Sequence, residues 1–315
     1  MLTVSATSRW ASAGLLWAVV LILLTGCRAA GGLQAATAAA PASDKLAVVA
    51  TTNIVGDVVA AVGGEAIDLV VLMPLGADPH AFEPTPRDLA AVAAADLVFI
   101  NGAGLEANLE PSVRSAATGP VVALSEAVPL RRLDEGHPEG DADPHVWLDP
   151  TRVLLWVDRI EAALTEQDPD RAEVYSANAE MYRKQLRELD TWIAEQVAKI
   201  PPERRKLVTD HQVFGYFAER YGFEQVGALM PGFSTLAEPS AREVAELERR
   251  LVELDVPAVF VGSTVNPMLA ERLAGDTGVK VVVLYTGSLS GPGGPAETYL
   301  DLMRFNVTAM VAALR

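Results

Sequence analysis

Short apolar runs rich in Val, Ile and Leu alternate along the chain with longer segments of helical periodicity. Such runs between helices are typical of buried strands in parallel α/β sheets. Four runs precede a long polar helical segment and four follow it. The predicted strands cover residues 46–51, 69–73, 97–101, 121–124, 206–209, 225–229, 258–261 and 279–285. The pattern therefore predicts an α/β fold of two similar lobes, each with a four-stranded, mostly parallel sheet flanked by helices.

The segment between these two groups of strands predicts one long helix over residues 169–200. Its apolar positions are three or four residues apart and form a single stripe: Leu186, Leu189, Ile193, Val197 and Ile200. Pro201 and Pro202 end it. About 30 helical residues extend for about 45 Å, so we expect a rigid link between the lobes and small lobe movements. The alternative is a helix packed within one continuous domain.

The start of the chain predicts export. Residues 14–24 are apolar, and this run is too short to span a bilayer. The run ends in Leu-Thr-Gly-Cys, which resembles the bacterial lipobox and implies a signal peptide over residues 1–26 and a lipid on Cys27. Residues 27–44 then form an Ala-rich flexible tether. The alternatives are an ordinary signal peptide with an incidental cysteine, or an N-terminal membrane helix.

Length and composition limit the number of domains and the classes of ligand that the protein could bind. The rest of the chain is long enough for an N-terminal lobe over residues 45–168 and a C-terminal lobe over residues 201–315. The formal net charge of −16 argues against nucleic acid, which requires clustered Lys and Arg. The single cysteine excludes internal disulfides and a thiolate metal cluster. We expect a monomer.

The chain has four histidines, and three of them occupy similar places. His80 follows a predicted strand, His145 precedes a predicted helix, and His211 directly follows the strand over residues 206–209. Ligands of open parallel sheets bind beyond the carboxyl ends of the strands, so these three side chains are predicted to meet in the cleft between the lobes. Three neutral imidazoles are good zinc ligands and leave a fourth position for a carboxylate or water. Protonation would weaken such binding below a pH of about 6.5.

The neighbours of these histidines suggest secondary roles. His80 and His145 each follow an Asp-Pro pair, and the proline limits the backbone freedom before the ring. Asp78 and Asp143 are candidates to orient the rings, with helix capping as the alternative. His137 lies in an acidic stretch, where we expect it to be exposed, with weak metal gathering as a minor alternative.

These motifs resemble the zinc- and manganese-binding lipoproteins of ATP-binding-cassette (ABC) importers, the family called cluster A-I or adhesin B-like. The resemblance covers the chain from about residue 46 to its end and rests on residues 51–57, 76–86, 143–150, 209–217, 237–240 and 263–267. It implies two α/β lobes joined by a long helix, with His80, His145 and His211 as metal ligands. It also implies an ABC permease as partner, and a location at the outer face of the cytoplasmic membrane or in the periplasm.

Two positions depart from the family pattern. Where the family usually has Tyr-Thr-Asp-Ser-Leu, whose Asp is the fourth ligand, this chain has Gly287 in place of the Asp. Gly262 also stands where many members carry an acid. Because manganese favours oxygen ligands, we expect zinc to be preferred over manganese; the sequence does not separate either from iron. Glu238 is the candidate replacement carboxylate or orienting partner, with capping or surface exposure as the alternative, and Glu83 is a candidate for an orienting role.

The sequence therefore predicts an extracytoplasmic solute-binding protein that captures a divalent transition metal and delivers it to an ABC permease. One alternative is a zinc-dependent hydrolase, because three histidines and an open position also describe a hydrolytic zinc site. Against this alternative, no His-Glu-x-x-His motif accompanies the histidines. The other alternative is a surface adhesin with a vestigial metal cleft.

Overall fold

The computed structural model describes residues 45–132, 142–230 and 232–315. The predicted signal peptide, Cys27, the tether and His137 lie outside the described residues, so their roles stay predictions. No helix within the described ranges is long and apolar enough to cross a bilayer.

The first sheet contains four parallel strands in the order β2-β1-β3-β4. Each strand leads into a helix or turn that returns over the sheet, as parallel pairing requires. The strands are β1 (Leu46–Ala50), β2 (Ile67–Val71), β3 (Leu97–Ile100) and β4 (Val121–Ala123). The helices of this part are α1 (Asn53–Gly63), α2 (Pro86–Ala94), α3 (Glu110–Ala116) and α4 (Pro150–Gln167).

The second sheet repeats this arrangement, with the parallel order β6-β5-β7-β8. Its strands are β5 (Lys206–Thr209), β6 (Glu224–Ala228), β7 (Ala258–Gly262) and β8 (Lys280–Leu284). Its helices are α6 (Gly215–Tyr221), α7 (Ala241–Glu253), α8 (Met268–Thr277) and α9 (Tyr299–Leu314). The predicted fold class, two lobes with four-stranded parallel sheets, is confirmed.

Strand β2 begins and ends two residues before the predicted run over residues 69–73. Leu72 and Met73 lie beyond the strand but are buried, at 6% and 2% exposure. Val70 and Val71 lie inside the strand but are exposed. An apolar run marks burial and not strand pairing, and here the buried part of the run continues into the loop.

The long helix α5 spans Ala172–Val197 and follows a 3₁₀ turn at Pro169–Arg171. Its predicted apolar stripe is buried along the helix, and Ile200 is buried just beyond its end. The helix packs against α4, α1 and α9. Residues of both sheets belong to one hydrophobic core cluster with this stripe. The predicted boundaries at residues 168/169 and 200/201 stay predictions.

Candidate metal site

Three histidine rings converge at the carboxyl ends of the two sheets. His80 lies in the loop after β2, His145 lies at the start of the 3₁₀ turn that leads into α4, and His211 follows β5. All three are buried, with exposed fractions of 6%, 1% and 3%. The Nε2 atom of His145 lies 3.3 Å from Nε2 of His80 and 3.1 Å from Nε2 of His211. The structure therefore brings together the three histidines that the sequence singled out, two from the first lobe and one from the second.

The spacing of these nitrogens suits one small metal ion. Two nitrogens that each lie roughly 2.0–2.1 Å from a tetrahedral zinc ion are about 3.3–3.4 Å apart. The candidate ligand atoms of the three residues all lie within 4.8 Å of one another. The adjoining cavity has a volume of about 10 Å³, which is room for a single water-sized particle.

Two buried carboxylates orient the rings. Oδ1 of Asp143 lies 2.9 Å from Nδ1 of His145, and Oδ1 of Asp210 lies 2.5 Å from Nδ1 of His211. A carboxylate at Nδ1 holds the proton on that nitrogen and leaves the lone pair of Nε2 for a metal. Sequence reasoning proposed Asp143 for this role and missed Asp210, although Asp210 directly precedes His211.

Asp78 has a different role from the one considered for it. Its carboxylate accepts hydrogen bonds from the backbone N–H of His80, at 3.0 Å, and from the hydroxyl of Thr235, at 2.6 Å. It therefore fixes the loop that carries His80 and ties that loop to the second lobe, and neither bond involves the imidazole ring.

Asp143, the residue beside His145, is held from both lobes, through its carboxylate by the first and through its backbone by the second. Nη1 of Arg131 lies 3.1 Å from Oδ2 of Asp143, and the Tyr216 hydroxyl, on α6, donates to the backbone carbonyl of Asp143 at 2.8 Å. Burial raises the pKa of Asp143 to about 7, outweighing the lowering by its hydrogen bond to the His145 N–H and by Arg131. A Cβ at Gly215 would clash with Arg131 and Asp143. The absence of a side chain there lets α6 approach this pair.

Burial also governs the protonation of the rings. Burial, together with the smaller effects of the neighbouring His145 and His211, lowers the pKa of His80 to about 2. Burial likewise lowers the pKa of His145 well below its usual value, with His211 adding to the effect. These two imidazoles are therefore neutral, as metal ligands must be, down to a pH well below 6.5.

The two departures from the family pattern lie beside the histidines. Gly287 lines the same cavity as the three rings, and a Cβ there would lie 3.0 Å from Cδ of Pro79. A Cβ at Gly262 would lie 2.3 Å from Oγ1 of Thr286, so any side chain at this position would displace Thr286. The backbone N–H of Gly262 donates to Oδ2 of Asp210.

The two nominated glutamates are not brought to the cluster. Glu83 and Glu238 are both exposed, and neither is among the residues that line the cavity beside the rings. Glu238 lies just before Ser240, the residue that caps α7. Surface exposure, the alternative considered for Glu238, agrees with this placement.

Comparison with known proteins assigns the family. Residues 48–313 match the sequence model of the family described as "ZnuA: Zinc-uptake complex component A periplasmic". The chain belongs to this family. Membership confirms the prediction of an extracytoplasmic, metal-binding solute-binding protein of an ABC importer rather than an enzyme, and the hydrolase alternative is therefore not supported.

Individual relatives of this zinc-uptake component family differ in their named metals. The manganese-binding lipoprotein MntA of Halalkalibacterium halodurans is 36% identical over 297 residues, covering 94% of this chain and 96% of the relative. The iron-binding protein YfeA of Yersinia pestis is 34% identical, covering 84% of each chain. The structure of the periplasmic zinc-binding protein TroA of Treponema pallidum matches with a TM-score of 0.80 and 30% identity, covering 86% of this chain and 99% of TroA.

The burial of the rings changes the expected pH dependence of metal binding. If two of the ligand imidazoles had ordinary pKa values, the zinc affinity of the site would fall on the order of a hundredfold between pH 7 and pH 5.5. Protons would then compete with zinc for the ligand nitrogens. Since the pKa values of His80 and His145 are lowered, we expect zinc affinity at pH 5.5 to stay within about tenfold of its value at pH 7. Calorimetric titrations at the two pH values test this, and a hundredfold loss would show that the rings titrate as free imidazoles.

Proposed function

We propose that this protein captures zinc between its two lobes with His80, His145 and His211 and delivers it to the permease of an ABC importer. The observation that supports this most strongly is the convergence of three buried Nε2 atoms, with neighbouring pairs 3.1 and 3.3 Å apart. Asp143 and Asp210 hold two of the rings with Nε2 directed at the cluster. The ligands come from both lobes, so a bound ion joins them.

The choice of zinc follows from the ligand atoms. Imidazole nitrogen suits zinc, whereas manganese favours carboxylate, carbonyl and water oxygens. Gly287 supplies no carboxylate to the cavity, and Glu83 and Glu238 are exposed outside it. Manganese is the second candidate, because MntA, at 36% identity, is named as manganese-binding.

A metal panel tests the proposal. Metal-free protein is heated with equal concentrations of zinc, manganese or ferrous iron, and its unfolding temperature is recorded. A ligand at a hundred times its dissociation constant adds about 2.7 kcal/mol of stability, so we expect zinc to raise the unfolding temperature most. A larger rise with manganese would reverse the metal assignment, and no rise with any metal would favour the vestigial cleft of an adhesin.

The proposal also includes attachment to the membrane. Cys27 is the single cysteine and follows an apolar run, and MntA is named as a lipoprotein. A monomer on an Ala-rich tether at the outer face of the cytoplasmic membrane would reach a permease in the same membrane. Mass spectrometry of protein extracted from membranes is expected to find diacylglycerol on Cys27, and an unmodified cysteine would contradict the anchor.

A further inference from the structure

The connection between β8 and α9 crosses to the first lobe beside the metal cluster. We call residues 286–289 the cross-lobe segment. It contains Gly287, which lines the cavity with the three histidines. The segment belongs to the second lobe in sequence, but it is hydrogen-bonded to three residues of the first lobe: Asn53, Gly76 and Trp147. Its position therefore depends on both lobes at once.

Asn53 is one of these three residues. It is the first residue of α1, and the residue is 8% exposed. Its Nδ2 donates to the hydroxyl of Ser288 at 3.0 Å, and its Oδ1 accepts from the backbone N–H of Leu289 at 2.7 Å. One amide side chain from the first lobe thus holds two consecutive residues of the cross-lobe segment.

The other two residues lie on the loops that carry the first-lobe ligands. The Gly76 N–H, in the loop that leads to His80, donates to the Ser288 hydroxyl at 2.8 Å. Nε1 of Trp147, two residues after His145, donates to the carbonyl of Thr286 at 2.9 Å. The segment therefore touches both ligand loops of the first lobe.

The Ser288 hydroxyl uses all of its hydrogen-bonding sites. It is completely buried, it accepts from Asn53 and Gly76, and it donates to the carbonyl of Leu289 at 3.0 Å. A hydroxyl has one donor and two acceptor sites, so all three are used. Removing the Asn53 side chain would take away the acceptor of the buried Leu289 N–H and one donor to Ser288, which is costly unless the lobes part and admit water.

We propose that Asn53 is a positioning residue that holds the two lobes together over the histidine cluster and limits how fast the ion leaves. The proposal rests on the proposed function for its metal. Because Gly287 contributes no ligand, the second lobe offers one ring, His211, to the ion. Closure then depends on direct hydrogen bonds between the lobes, and Asn53 makes two of them.

The chain offers a matched control for removing a buried amide. Asn306 on α9 is 1% exposed, and its side chain bonds the backbone N–H and carbonyl of Tyr285, at 2.9 and 2.7 Å. Those bonds support the same connection from within the second lobe. Asn306→Ala and Asn53→Ala therefore remove equivalent groups, and only Asn53→Ala removes bonds between the lobes.

The experiment compares wild type, Asn53→Ala and Asn306→Ala as metal-free and zinc-loaded protein. We expect Asn53→Ala to speed zinc dissociation into a chelator by about tenfold or more, the scale of losses from groups that support metal ligands. Asn306→Ala should stay within about twofold of wild type. In metal-free Asn53→Ala, hydrogen exchange should become faster at the Leu289 amide, which loses its bond to Asn53. It should also become faster at the Gly76 amide, which is bonded to Ser288 and not to Asn53. Equal dissociation rates in the two variants would overturn the proposal.

Two further measurements distinguish a positioning role of Asn53 from a general disturbance of the folded protein. Asn53→Asp keeps an oxygen that can accept from Leu289 but loses the donor to Ser288, so its dissociation rate should lie between wild type and Asn53→Ala. The visible spectrum of bound Co²⁺ should be unchanged in Asn53→Ala, because the three ligands remain; a changed spectrum would overturn a purely positional role. If the wild-type protein binds no metal, the proposed function is wrong. The hydrogen-exchange rates of the metal-free proteins would still test whether Asn53 holds the two lobes together.

Discussion

His145→Ala is expected to lower zinc affinity by about a thousandfold, or roughly 4 kcal/mol. His145 is the central ring of the cluster, since its Nε2 contacts the Nε2 atoms of both His80 and His211. Its loss leaves two ligand nitrogens, and it also leaves the buried carboxylate of Asp143 without its ring partner. Isothermal titration calorimetry with zinc gives the affinity directly.

His137→Ala is the control for His145→Ala, because it removes the one histidine that the sequence does not assign to the site. Because the sequence predicts His137 to be exposed, we expect this substitution to change zinc affinity by less than about twofold. Unfolding of metal-free His145→Ala should be measured in parallel, to show that the variant is folded. If the two variants bind zinc equally well, the three-histidine site is wrong.

Gly287→Asp is expected to raise manganese affinity by about ten- to a hundredfold, the range over which supporting groups change metal sites. Gly287 lines the cavity beside the rings, and an aspartate there would add the anionic oxygen that manganese favours. The new Cβ would lie 3.0 Å from Cδ of Pro79 and 3.3 Å from Oγ1 of Thr264, so Pro79 must shift by a few tenths of an ångström. Zinc affinity should change less, because the imidazoles already suit zinc.

Gly287→Ala and Gly287→Asn separate the charge of the aspartate from its bulk. Alanine adds the Cβ contact with Pro79 alone, and asparagine adds a neutral side chain of the same size. We expect neither to raise manganese affinity as aspartate does. A similar gain in all three variants would mean that packing near Pro79, and not a new ligand, changes the site.

The fold class and the three central site residues followed from the sequence, for two physical reasons. Buried parallel strands require continuous apolar runs, which are visible in the sequence. Ligands of open parallel sheets bind beyond the carboxyl ends of the strands, so His80 and His211, each after a strand, could be placed at the cleft between the lobes from the sequence alone. Strand bounds were less accurate, as β2 shows, because burial of Leu72 and Met73 does not require strand pairing.

The groups that hold the site were harder to predict, because their partners are distant in sequence. Asn53 and Leu289 are 236 positions apart, and no local pattern connects them. Asp210 was missed although it is adjacent to His211, because a carboxylate beside a histidine is equally compatible with a solvated turn. Glu238 was nominated on its charge and motif alone, and its exposed position lies outside the cavity.

The buried apolar stripe of α5 belongs to the same hydrophobic core cluster as residues of both sheets. A fragment that ended before α5 would expose the surfaces of α4 and α1 against which this helix packs. A fragment that began after it would leave α9 without the same support. We therefore expect neither fragment to fold by itself, and an ion that binds the folded protein to stabilise the entire polypeptide against unfolding and proteolysis.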